Sequence, residues 1–193
     1  MNNRNLWLSN SYLYERKYEN MKIYIVGSVS SGKSTLAKKL SEMVRIPYQS
    51  LDEVVYISNK STHRTNHKRH VEERDNLFYS VIQQPRWIIE DVGRPCFEDG
   101  LKRADTIILL EISTKVRNYR IIKRWIKQRL GIEKCSYSPK YEMLKRMLQW
   151  SKDYDSGKDK LKDRISPYQE KVITLKNNKD VNRFLERCIT QRN

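Results

Sequence analysis

Residues 21–45, MKIYIVGSVSSGKSTLAKKLSEMVR, constrain the fold of this chain more than any other stretch. Ile23, Tyr24, Ile25 and Val26 form an apolar run that reads as a buried strand. The run stops at Gly27. After Gly32, Lys33, Ser34 and Thr35, the apolar residues Leu36, Ala37, Leu40, Met43 and Val44 recur at helical spacing. A strand, then G-x-x-x-x-G-K-S, then a helix is the context in which this motif forms a phosphate cradle. Between the two glycines, the backbone N–H groups of Ser28, Val29, Ser30 and Ser31 can curl around phosphate oxygens. The helix that follows turns its positive N-terminal end toward the same oxygens. Lys33 is expected to reach the β- and γ-phosphates of ATP, and the Ser34 hydroxyl to ligate the Mg²⁺ that bridges them. Residues 27–35, from Gly27 to Thr35, are therefore the candidate nucleotide-binding residues.

A chain of 193 residues suits one α/β domain with a sizeable core. No apolar run approaches the length of a membrane span, so no partnership with a membrane is expected. Cys96, Cys135 and Cys188 are far apart and lack a C-x-x-C, which fits a reducing cytoplasm and no disulfide framework. The net charge of +16 attracts polyanions, nucleic acid among them, without choosing between them. Residues 1–20 lack a signal-peptide centre and a strong period. They are expected to be a flexible extension or an upstream start, with a single domain over 21–193 and a monomer favoured.

Beyond the first helix, Tyr48–Leu51 reads as a second strand. Asp52 just past its end is a candidate for orienting the acceptor, with a helix N-cap as the equal alternative. His63, His67 and His70 stand at i, i+4 and i+7. Zinc ligation is one reading, but flanking Lys and Arg and the absence of nearby Cys favour a solvated or phosphate-facing basic patch. A helix carrying Arg74 runs from Val71 toward Pro85. Trp87–Asp91 is a third strand ending in Glu90 and Asp91, with Arg94 beside it, an arrangement suited to metal and an anionic substrate. Thr106–Glu111 is a fourth strand that also ends in an acid.

Residues 114–130 read as a helix with Val116, Ile122, Trp125 and Ile126 inward. Arg117, Arg120, Arg124 and Lys127 then form a basic stripe, fitted to stabilise transferred phosphoryl charge. A helical pattern covers 140–163, Lys171–Leu175 is a fifth strand, and a last helix follows a loop, 176–179, expected near a bound base. Strands alternating with helices imply a parallel sheet covered on both faces.

The runs KIYIVGSVSSGKSTLAKKLS (22–41), Leu51-Asp52, WIIE (87–90), ADTIILL (104–110), RIIKRWIKQRLGIEKC (120–135) and VITLKNNKDVNRFL (172–185) resemble the adenylate-kinase-like P-loop phosphotransferases. Within them the chain is most similar to small bacterial DNA topology modulation proteins. The resemblance implies a three-layer α/β/α P-loop NTPase fold with a five-stranded parallel sheet of order 2-3-1-4-5. It also implies an acceptor cover around Asp52–Arg74, and a lid formed by the arginines from Arg117 to Arg129. One departure stands out, since Asp91 occupies a position where such proteins usually carry glycine.

The reading that follows is a kinase using ATP and Mg²⁺ on a nucleotide, nucleoside or other small acceptor. Lys33, Asp52, Arg120 and Arg124 are its catalytic candidates. Asp52, Arg74, Glu90, Arg94 and Arg117 are its acceptor-binding candidates. The alternative is a nucleic-acid-binding protein that uses ATP as a switch. A guanine-reading N-K-x-D is absent, which disfavours a GTPase.

Overall fold

The computed structural model describes residues 21–57, 67–133, 135 and 139–190. Its central sheet has five strands: β1 (Lys22–Gly27), β2 (Tyr48–Ser50), β5 (Trp87–Asp91), β6 (Thr106–Leu110) and β7 (Val172–Leu175). Their order is β2-β5-β1-β6-β7, all neighbours parallel, which is 2-3-1-4-5 when the five are counted along the chain. A separate two-stranded antiparallel ribbon joins β3 (Tyr56–Ile57) to β4 (His67–Lys68).

Alternation along β1 builds both halves of the core. Tyr24 and Val26 point to one face, Ile23 and Ile25 to the other, and all four are buried. On the Ile23 face lie α1 (Lys33–Val44), through Leu36, Ala37, Leu40 and Val44, and the last helix α8 (Asn178–Thr190), through Leu185. The Tyr24 face is covered by α2 (Leu51–Val55), α3 (Val71–Ile82) and α4 (Glu98–Arg103). Tyr154 from α6 (Tyr141–Asp155) and Leu161 and Ile165 from α7 (Leu161–Ile165) complete that layer.

Three expectations about elements are corrected. Leu51 belongs to α2 rather than to the second strand. The pattern over 140–163 is two helices, because Gly157 takes a left-handed φ of 73° and ends α6 within two residues. Finally α5 (Thr114–Arg129) presents a different face from the one its apolar residues imply. Val116, Ile122 and Ile126 are exposed, whereas Arg117, Ile121 and Gln128 are buried.

Arg117 is the cause. Its guanidinium donates to the Ile112 carbonyl, to the Ser151 hydroxyl (3.2 Å) and carbonyl (2.9 Å), and to Asp155 (2.7 Å). It also lies 4.9 Å from the Tyr154 ring centre. Burial alone would raise the Asp155 pKa, but hydrogen bonds from Thr114 and Arg117 outweigh it and hold the carboxyl below its ordinary value. With so many acceptors satisfied by one cation, the α5–α6 contact is organised around charge rather than around an apolar stripe.

Candidate active site

The cradle sits where β1 ends and α1 begins. A Cβ on Gly27 would stand 2.7 Å from the Leu110 carbonyl oxygen, so the tight exit from the sheet requires glycine. Ser30 takes a left-handed φ of 56° and Gly32 a φ of 105°, which folds the backbone into a concave turn. The Ser28 and Ser31 hydroxyls are buried there with no protein partner. Orphaned buried hydroxyls are costly, and of the two residues Ser31 lines the adjoining cavity, where an anionic oxygen of a polyphosphate could meet it.

Lys33 is buried and donates to the Ser28 carbonyl at 2.9 Å. Burial pulls its pKa below the ordinary lysine value, opposed by the carboxylates of Glu90, Asp91 and Asp52. Next to it, the Ser34 hydroxyl donates to Glu90 at 3.0 Å. Glu90 is itself buried at the tip of β5. A hydroxyl and a carboxylate side by side are hard oxygen donors of the kind Mg²⁺ accepts alongside phosphate oxygens. Among the described residues no cluster of three or more His, Cys, Asp or Glu could hold a metal by itself. The chemistry of Ser34 and Glu90 fits an ion completed by a bound triphosphate.

Asp52 lies in the first turn of α2, with Ser50 in the N-cap position, so it is not the cap. Its exposed carboxylate pairs with Arg94, and Arg94 also pairs with Asp91. Asp91 accepts the backbone N–H groups of Gly93 (2.7 Å) and Arg94 (2.6 Å) as well, so it shapes the turn after β5. Burial opposes the charge on Arg94, yet Asp91 and Asp52 more than compensate and raise its pKa.

On the opposite side, Arg120 reaches across from α5. It donates to the Ser31 carbonyl at 2.9 Å, to the Ser30 carbonyl at 3.3 Å and to Asn178 Oδ1 at 2.9 Å. Arg124 donates to Glu133 at 2.9 Å. Cradle, α5 and the carboxylates enclose one cavity of about 760 Å³, lined by Lys33, Ser34, Asp52, Glu90, Asp91, Arg120 and Arg124 among others. A pocket of this size suits a nucleotide with a small second substrate.

Of the expected residues, the structure brings 29–35, Asp52, Glu90, Arg120 and Arg124 to this cavity. Arg117 is the clear departure, because burial against Ser151 and Asp155 removes it from the site. Arg74 is paired with Asp75 and stands over the Phe97 ring, away from the cavity wall. Glu90 lines the cavity and accepts from the Ser34 hydroxyl. His63 lies outside the described residues. His67 is in β4 and His70 precedes α3, so these two do not share a helical face. Lys39, Lys123, Asn178 and Asn182 also line the cavity, though sequence reasoning had not singled them out. Of these, Asn178 had a usable signal, since it falls in the loop expected near a base.

At the sequence level, no protein-family model and no curated protein matches the chain. Among solved structures, the fold is similar to a sugar kinase from Janibacter sp. HTCC2649, with TM-score 0.53 and 17% identity over 89% of this chain and 93% of that one. It is also similar to the shikimate kinase of Acinetobacter baumannii, with TM-score 0.51 and 14% identity over 92% and 96% of the two chains. The chain has the fold of the small P-loop kinases. At such identities the likeness concerns the fold, and the chemistry must be argued from the site itself. Among the described residues, no helix is long and apolar enough to cross a membrane.

Proposed function

We propose that this chain is an ATP-dependent phosphotransferase that moves a γ-phosphoryl group to a nucleotide, nucleoside or other small acceptor. The supporting observation is that one cavity joins the cradle, the Ser34–Glu90 pair and the Asp52 carboxylate. The loop amides, the Ser31 hydroxyl and Lys33 hold the triphosphate. Ser34 and Glu90 would hold Mg²⁺, which when bound neutralises charge on the phosphates. The acceptor hydroxyl oxygen attacks the γ-phosphorus while the bond to the β,γ-bridging oxygen breaks, and that electron pair leaves with ADP. Asp52 orients the hydroxyl and takes its proton. Arg120 and Arg124 stabilise charge on the transferring group. Both arginines are held by protein acceptors, Arg120 by loop carbonyls and Arg124 by Glu133, so each must exchange partners to do this.

The test is transfer of labelled γ-phosphate to a panel of small hydroxyl compounds, paired with calorimetry of ATP in the presence of Mg²⁺. Lys33→Ala is expected to lower kcat/KM by about 100-fold or more, the scale for removing one preorganised charge. Absence of binding heat with both ATP and GTP overturns the reading. The alternative of a nucleic-acid binder rests on the +16 charge and on the resemblance to DNA topology modulation proteins. Tight, sequence-dependent duplex binding at physiological salt, without any phosphoryl transfer, would favour it.

A further inference from the structure

Apart from Glu133, which pairs with Arg124, the charges of the cavity are segregated. Its cationic lining comes from α1 and α5, as Lys33, Lys39, Arg120, Lys123, Arg124 and Lys127. The lining from α2 and the end of β5 is Asp52, Glu90, Asp91 and Val92, three acids and an apolar residue. Ser31 lies in the same wall system, and its buried, unpartnered hydroxyl marks the phosphate end. The acceptor must therefore approach from the acidic end.

Among the described residues, the arginines near that end do not offset the acids. Arg94 is shared between Asp91 and Asp52, so the three together carry one net negative charge. Arg74 is bound to Asp75, and Arg69 to Glu73 and the Val54 carbonyl. Each guanidinium thus already has a carboxylate, and none of the three lines the cavity. An incoming carboxylate or phosphate would meet like charge from Asp52 and Asp91. To pair with Arg94 it would have to displace an intramolecular carboxylate. A hydroxyl, by contrast, can donate to Asp52 with no such cost.

We propose that the phosphoryl acceptor is a hydroxylated compound bearing no anionic group, and that the Asp52–Arg94–Asp91 cluster is what rejects anionic analogues. This inference rests on the phosphotransferase reading and replaces the expectation that Arg94 would recruit an anionic substrate.

The experiment uses the full chain with Mg-ATP and acceptors in matched pairs: hexoses against their aldonic acids and 6-phosphates, nucleosides against their 5′-monophosphates, and glycerol against glycerate. In each reactive pair the uncharged member is expected to show at least tenfold higher kcat/KM. Equal or better transfer to the anionic member overturns the inference and leaves the phosphotransferase reading standing. No transfer to any member, with Mg-ATP binding intact, overturns both. Asp52→Asn then tests the cluster, because it leaves Arg94 with a single carboxylate. The anionic-to-uncharged ratio of kcat/KM should rise at least fivefold, whatever the absolute rates. An unchanged ratio excludes Asp52 as the source of rejection.

Discussion

On the proposed reading Lys33 faces two competing demands, since it is buried yet must carry charge toward a triphosphate. Its lowered pKa reflects that conflict, with burial outweighing three nearby carboxylates. A lysine whose folded pKa lies below its unfolded value destabilises the fold while charged, so its contribution to stability improves as pH rises through the folded value. Nucleotide binding has the opposite sign, because the triphosphate requires the protonated amine. Affinity for Mg-ATP is therefore expected to fall as pH rises toward the ordinary value of 10.5, beginning earlier than for an exposed lysine. Calorimetry across an alkaline series checks this, and Lys33→Arg should move the fall to higher pH. Gly27 is constrained sterically: Gly27→Ala places a methyl against the Leu110 carbonyl oxygen at 2.7 Å. A loss of about 1–3 kcal/mol in denaturant unfolding is expected, the range for over-determined backbone positions.

At the level of elements, α5 separates two kinds of arginine that look alike along a helix. The buried Arg117 guanidinium makes four hydrogen bonds at the α5–α6 contact, whereas Arg124 is exposed and donates to Glu133. Arg117→Ala should cost about 3 kcal/mol of unfolding free energy, from lost buried hydrogen bonds and an unfilled space. Arg124→Ala should leave stability within about 0.5 kcal/mol and show itself in kcat instead. Thermal melts and steady-state kinetics on both variants separate the roles. This difference was not legible in the sequence. The Arg117 partners, Ser151 and Asp155, arrive on another helix, and periodicity within 114–130 carries no trace of them. The strands were readable because those buried on both faces are nearly continuous apolar runs, as in β1 and β6. The phosphate cradle was readable because backbone curvature demands its glycines. The work of Asp91 was hidden, since an acid that closes its own turn is spelled like one that binds a ligand. Residues 58–66 and 1–20, which carry further expectations, lie outside the described residues.

For the molecule as a whole, an excess of 16 positive charges acts at longer range than any single contact. Association with any duplex should weaken steeply with salt, whereas ATP held by backbone amides and a buried lysine should lose affinity more gently. Filter binding and nucleotide titrations from 50 to 300 mM salt, roughly the range where counterion effects dominate, distinguish the two. The centre of the sheet has a further consequence, felt while the chain is being made. Strand β1 is synthesised early, yet both its neighbours come late: Lys22 aligns with Trp87, and Ile23 with Thr106. A nascent chain released before residue 87 would hold its most water-averse strand with neither edge matched. Until β5 and β6 have been made, β1 and the loop that follows it have no sheet to pack into.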